Sequence, residues 1–157
     1  MRATPAAPLV DNPTDPKLML SALWVAMLFV FAYVDIFGFF RADVLEGALA
    51  GTVSGPGFTI DQTFLTLTTG YIVVPILMVV ASLILPARAA RPANLVVAVV
   101  YAVSIVVSMI GESWVYYLAG SAVELVFLAG VIGVAARWPR VGSRDELPAR
   151  DEGAIYR

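Results

Sequence analysis

Four long apolar runs decide most of what this chain can become: Leu18 to Phe40, Thr59 to Leu85, Ala93 to Gly111 and Trp114 to Ala136. Each is close to or above the ~20 residues that a helix needs to cross bilayer hydrocarbon. A soluble core helix would carry a polar stripe, whereas these runs are apolar nearly all round. The expected fold is all-α, an integral membrane bundle of four transmembrane helices, because lipid offers the backbone no partner outside its own helix. Composition agrees: 60% of the 157 residues are hydrophobic and 14% charged, with a mean hydropathy of +0.86.

The flanks read differently. Residues 1–17 hold Pro5, Pro8, Pro13 and Pro16 with few large apolar side chains, and residues 137–157 mix Arg140, Arg144, Arg150 and Arg157 with Asp145, Glu146, Asp151 and Glu152. Both are expected to be disordered tails on one transmembrane domain, 18–136. Asp15 suits an N-cap and Pro16 the first helical position. The run after Lys17 is longer than the about 7 to 15 residues of a signal-peptide core, and no small-x-small cleavage site follows Phe40, so it reads as a retained helix.

Between the first two runs, Val44, Leu45, Ala48 and Leu49 share one helical face, which fits either a short amphipathic turn at the membrane interface or an ordinary loop. Gly55-Pro56-Gly57 marks a loop. Thr59-Ile60-Asp61-Gln62 matches a capping box with Thr59 as the cap and Asp61 in the first turn. The second helix, if it runs 59–85, is about 40 Å long and must tilt, and Pro75 near its middle predicts a kink. Pro86 to Pro92 reads as a short connection, with Arg88 and Arg91 as topological charges rather than a specific headgroup site. Gly111-Glu112-Ser113 makes the last two helices a tight hairpin with Ser113 as N-cap, and Trp114, Tyr116 and Tyr117 on one side and Trp138 on the other form the aromatic belts.

Orientation follows from the cations. Lys17, Arg88, Arg91, Arg137 and Arg140 fall on one side and only Arg41 on the other, so both termini are expected in the cytoplasm. There is no Cys and no His, which removes thiolate chemistry, the usual general base, and the commonest zinc and haem ligands. No phosphate loop, serine-nucleophile motif or metal-ligand spacing is present, so no catalytic, cofactor-binding or metal-binding residues are expected. The net charge of -2 and the lack of a basic stretch argue against nucleic acid.

What is left is a set of acids. Glu124 lies near the middle of an otherwise uncharged run, and Asp35 near the end of the first. A charge at bilayer depth is costly, so Glu124 is expected either to be protonated or to meet water, a cation or a hydrogen-bonding partner inside the bundle. Gly120 and Ser121, one turn before it, are small enough to admit another helix, and Ala129 and Gly133 repeat that spacing, so this face is expected to point inward. Asp35 is shallow enough to lean to interfacial water and pair with Arg41, or to join Glu124 in one cavity with Tyr33, Tyr71, Thr66 or Tyr101. Asp61 and Glu112 have local explanations as helix-start and turn residues.

The order Lys17-Leu18-Met19-Leu20-Ser21-Ala22-Leu23-Trp24, Tyr33-Val34-Asp35, Arg91-Pro92-Ala93-Asn94, then Tyr116-Tyr117 followed by Glu124, resembles a family of small bacterial four-helix integral membrane proteins whose function is unknown. The likeness runs from about Lys17 to Pro139. It implies the fold and a place in the bacterial cytoplasmic (inner) membrane, and brings no catalytic residue with it. The expected role is a non-enzymatic structural or accessory membrane subunit, whose partners are the lipid bilayer and a second copy or another membrane subunit. The alternative is a small proton- or cation-coupled transporter using Glu124 with Asp35.

Overall fold

A computed structural model describes residues 14–138. Within them the chain forms five α-helices, α1 Pro16–Gly38, α2 Ala42–Leu49, α3 Gln62–Ile84, α4 Ala87–Ser108 and α5 Val115–Ala136, and the one β feature is an isolated bridge between Thr52 and Thr59. α1, α3, α4 and α5 are each long and apolar enough to cross a membrane. The four-helix membrane bundle read from the sequence is therefore the fold. The two expected tails lie outside the described residues, except for Thr14 to Lys17 and for Arg137 and Trp138.

Two of the five helix starts, those of α1 and α3, follow from side-chain capping. The Asp15 carboxylate accepts the Lys17 N–H at 2.8 Å with Pro16 opening the helix, so α1 starts two residues before its apolar run and includes Lys17. The short amphipathic turn is present as α2, with Leu45 and Leu49 exposed. α3 corrects the sequence reading: Asp61, not Thr59, is the cap, its Oδ1 accepting the Phe64 N–H at 2.7 Å, while Thr59 sits in the bridge. A carboxylate is the stronger acceptor for an N-terminal amide. α3 has 23 residues, about 34 Å, so the predicted excess length disappears.

α4 is the larger correction. It begins at Ala87, so Arg88 to Pro92 are helical and only Leu85 and Pro86 separate α3 from α4. Pro86 is extended at the cap position, and Pro92, within the first two turns, removes a single bond to the Arg88 carbonyl. At α5 the expected Ser113 cap is not formed: Trp114 holds the cap position without a side-chain cap bond, and Glu112 Oε1 instead ties the turn before the helix by accepting the Ser113 and Trp114 N–H, at 2.8 and 3.0 Å.

α1 packs between α3 and α5, while α4 lies on α5 and only lightly on α3. The α1–α5 approach is set by small residues: a Cβ on Gly120 would fall on the Val34 γ-methyl, and one on Gly130 would meet Leu23 at 3.3 Å. Gly133, expected with Ala129 on the inward face, faces open space, and Ala129 is exposed. The sense of that pattern was right and its register one turn wrong, because the position of α1 decides which small residues it touches.

The half of the bundle nearer the termini, here the terminal end, is solid. Leu20, Trp24, Ala98, Leu128 and Ala135 are fully buried there. A buried polar knot ties three helices together: Trp24 Nε1 donates to Asn94 Oδ1 at 2.7 Å, Ser82 Oγ shares its one proton between Met78 O at 2.7 Å and the same Asn94 oxygen at 3.1 Å, and Asn94 Nδ2 donates to Ala90 O. Each group has a partner, which is the condition for a polar network to stabilise a dry core. Cations close the helix ends here. Lys17 Nζ donates to Leu83 O at the C-terminus of α3, and Arg91 Nε to Ala135 O at that of α5, where positive charge meets the negative end of the helix dipole.

Pro75 is buried within α3 and cannot donate to the Tyr71 carbonyl one turn earlier. The Tyr101 hydroxyl of α4 donates to that carbonyl instead, with the two tyrosine rings stacked at 4.6 Å. A double-mutant cycle tests this substitution of partners. Tyr101→Phe should cost about 1 kcal/mol in the native background and markedly less once Pro75→Ala restores the helical N–H, as read from unfolding in mixed micelles. Equal costs in both backgrounds would mean the hydroxyl does not serve the orphaned carbonyl.

Candidate functional site

The opposite end of the bundle, which carries α2, is closed by Arg41. Its guanidinium bonds Asp43 at 2.7 Å and Glu112 at 3.0 Å and lies over the Trp114 ring, 4.6 Å from the centroid. The clasp joins the α1–α2 corner to the α4–α5 turn. It also answers one expectation: Arg41 pairs with these two acids and not with Asp35. The Asp43 hydrogen bond holds the Arg41 guanidinium above its ordinary value. Burial pushes the Glu112 carboxyl up, but the Trp114 N–H, Arg41 and the Ser113 N–H together outweigh it and hold the group below its ordinary 4.5.

A depressed carboxyl contributes stability above its unfolded value, and that contribution is lost as pH falls through the folded one. Acidification below about pH 4.5 should therefore loosen the clasp. The expected loss is under about 1 kcal/mol, since the pair is near the surface and screened. Glu112→Gln should flatten this part of the stability–pH curve, measured by thermal unfolding between pH 3 and 6; an unchanged curve would remove Glu112 as its source.

Beneath the clasp lies a cavity of about 540 Å³ between the four long helices. α1 contributes Phe31, Val34 and Asp35; α3 contributes Phe64 and Tyr71; α4 contributes Ser104, Ile105 and Ser108; α5 contributes Tyr117, Ser121 and Glu124, with Phe58 from the loop before α3. The two intramembrane acids thus meet one space, as one of the sequence readings required. Ser121 and Glu124 share a face of α5 at helical spacing and are only 2% and 3% exposed, which places the Gly120–Ser121 face inward as expected. Glu124 lies roughly 14 Å along α5 from its start. Asp35 is three residues from the end of α1 and exposed.

Of the four expected polar companions only Tyr71 lines the cavity. Tyr33 is 55% exposed beside Phe37, Thr66 bonds the Gln62 carbonyl on the outside of α3, and the Tyr101 hydroxyl is committed to Tyr71 O. Ser104, Ser108, Tyr117 and Ser121 were missed as companions. The signal for Tyr117 was present, since 117, 121 and 124 fall on one helical face, but its place beside Trp114 explained it as an interfacial aromatic.

The wall's hydroxyl protons can be accounted for. Ser104 Oγ donates to Tyr101 O at 2.9 Å, so the 2.6 Å contact with Tyr71 uses the tyrosine's proton. Ser108 Oγ donates to Ile105 O at 2.8 Å and accepts from the Tyr117 hydroxyl at 3.0 Å. Ser121 alone of these hydroxyls makes no hydrogen bond among the described residues. Glu124 makes none either, although no fully enclosed side-chain polar atom among the described residues is left unpaired, so its carboxyl is turned to the cavity. Among the described residues no three acidic, His or Cys side chains gather as a metal site.

The chain matches the model of a family of unknown function, DUF6326, over residues 10–144. It matches no curated protein and no solved structure.

Proposed function

We propose that this chain, which belongs to DUF6326, a family of unknown function, is a non-enzymatic multi-pass membrane protein that binds a proton or small cation at Glu124 and carries it as a small coupled transporter. The observation that carries the reading is the Glu124 carboxyl itself, turned to a cavity with no hydrogen bond from the described residues. A carboxyl retained to pin helices would be expected to bond a Tyr, Ser or Thr on another helix, since desolvation without a partner only costs stability. That weakens the reading as an accessory subunit whose acids fix helix contacts.

We place the protein in the bacterial cytoplasmic membrane with both termini inside. Supporting this is the charge distribution, with Lys17, Arg88, Arg91 and Arg137 at the terminal end and Arg41 at the other. The cavity then opens outward and stops near Glu124, above the solid half. Carriage across the membrane needs that half to part, or a second copy or partner subunit to complete the route.

Reconstitution into liposomes containing a pH-sensitive dye tests the reading, with proton, Na+ or K+ gradients imposed. Glu124→Gln keeps size and shape, so it should fold and slow the Glu124-dependent flux at least about tenfold. The titratable groups facing Glu124 are Asp35 and Tyr71 across the cavity and Tyr117 on its own helix, so Asp35→Asn should shift the pH profile less than Glu124→Gln removes it. Equal flux through wild type and Glu124→Gln overturns the reading.

A further inference from the structure

We propose that the ligand of this cavity is a monovalent organic cation with an apolar body, its ammonium group against Glu124 and its body between the aromatic walls. The inference rests on the reading of Glu124 as a cation site and names the class of cation.

Size is the first observation. About 540 Å³ is far more than a bare ion needs and falls within the range of pockets that enclose small organic molecules. Charge is the second. Asp35 and Glu124 line the space, no Lys or Arg among the described residues does, and Arg41 just above is held by Asp43 and Glu112. An anion is therefore excluded by sign. A divalent metal would find two carboxylates on different helices, fewer than the six or so oxygens it prefers.

The third observation is the state of the hydroxyls. Ser104, Ser108, Tyr71 and Tyr117 have all given their protons to partners within the wall, leaving only Ser121 free beside Glu124. A cavity of acceptors and spent donors selects a ligand that brings its own N–H groups. Apart from Val34 and Ile105 the rest of the lining is aromatic, with Phe31, Phe58 and Phe64 joining the two tyrosine rings, and such faces attract a cation and cover an apolar body.

The fourth concerns access. Phe58, Phe64 and Tyr71 also border a second hollow of about 410 Å³ that runs outward over Leu67 and Thr68. Leu67 is 70% exposed on the flank of α3, a surface that faces lipid in a membrane. An amphiphilic cation partitioned at the interface can enter sideways past Phe58 and Phe64 without passing the Arg41 clasp.

The test uses the full chain in lipid nanodiscs and radiolabelled 4-phenylbutylammonium, with 4-phenylbutanol, 4-phenylbutyrate, Na+ and K+ as competitors. Saturable binding of one amine per chain is expected, weakened at least tenfold by Glu124→Gln, several-fold by Phe64→Ala, and not displaced by the alcohol or the acid. A second measurement needs no variant: a hydrophobic carbodiimide should label Glu124, located by mass spectrometry, and the amine should protect it. No saturable amine binding, binding that survives Glu124→Gln, or labelling of Glu124 that the amine leaves unchanged each overturn the proposal. If amine binding is absent while Glu124-dependent flux of protons, Na+ or K+ persists in liposomes, the ligand class is wrong and the cation-site reading stands; if both are absent, both fail.

Discussion

Glu124→Leu is expected to make the bundle more stable, by about 1–3 kcal/mol, while destroying its cation site. The side chains are close in volume, and the position is only 3% exposed. In the native protein the carboxyl makes no hydrogen bond among the described residues and the apolar walls strip part of its hydration, so an apolar replacement removes a partly uncompensated desolvation cost and keeps the packing. A stability gain bought with activity is the signature of a group retained for what it does. A carboxyl that holds helices together gives the opposite sign, because its removal strands a partner. Unfolding of wild type and Glu124→Leu in mixed micelles at pH 7 separates the two: a loss of more than about 1 kcal/mol would return Glu124 to a structural role.

The largest destabilisation should come from Gly120→Leu. The α5 backbone meets the Val34 γ-methyl at Gly120, so even a Cβ has no room, and a leucine must push α1 away along the seam that also carries Asp35 and Glu124. Overpacking of this kind costs about 3 kcal/mol or more, enough to lower the yield of folded protein. Gly133→Leu is the matched control on the same helix, because nothing lies within 4 Å of its Cβ position; it should be close to neutral by the same unfolding measurement. Similar losses at both glycines would show that added bulk on α5, rather than the α1 contact, governs the effect, since helix propensity alone favours leucine over glycine at both.

The spans, the Asp15–Pro16 start of α1 and the amphipathic α2 were legible because they depend on local chemistry. Helix starts were misread where two residues compete for one role: Asp61 rather than Thr59 caps α3, and at α5 Glu112 takes the N–H groups of the turn while Trp114 holds the cap position. Pro86 and Pro92 looked like the ends of a loop, yet Pro86 sits at the cap, where no N–H is needed, and Pro92 costs α4 only the one bond to the Arg88 carbonyl. For the site, the face of Glu124 could be read from spacing along α5, while the pairings Trp24–Asn94, Tyr71–Ser104 and Tyr101 with the Tyr71 carbonyl join residues 30 or more apart in sequence. Periodicity identifies which side of a helix is buried. It carries no information on the neighbour's rotation, which is why Ser104, Ser108 and Gly130 went unnoticed and Gly133 was placed on the inward face.

The polar knot of Trp24, Asn94 and Ser82 gives the bundle a mechanical asymmetry. Three helices are pinned at one level by directional bonds in a dry core, where parting them means breaking several bonds together. At the level of the cavity α1 and α5 still meet at Gly120 and Val34, but α3 and α4, and α4 and α5, are joined by single hydroxyl contacts. The protein is built like a pair of tongs, with a riveted base and free tips. Movement that changes the room around Glu124 is concentrated at the tips, and the Arg41 clasp, the one ionic tie across them among the described residues, sets how easily they spread.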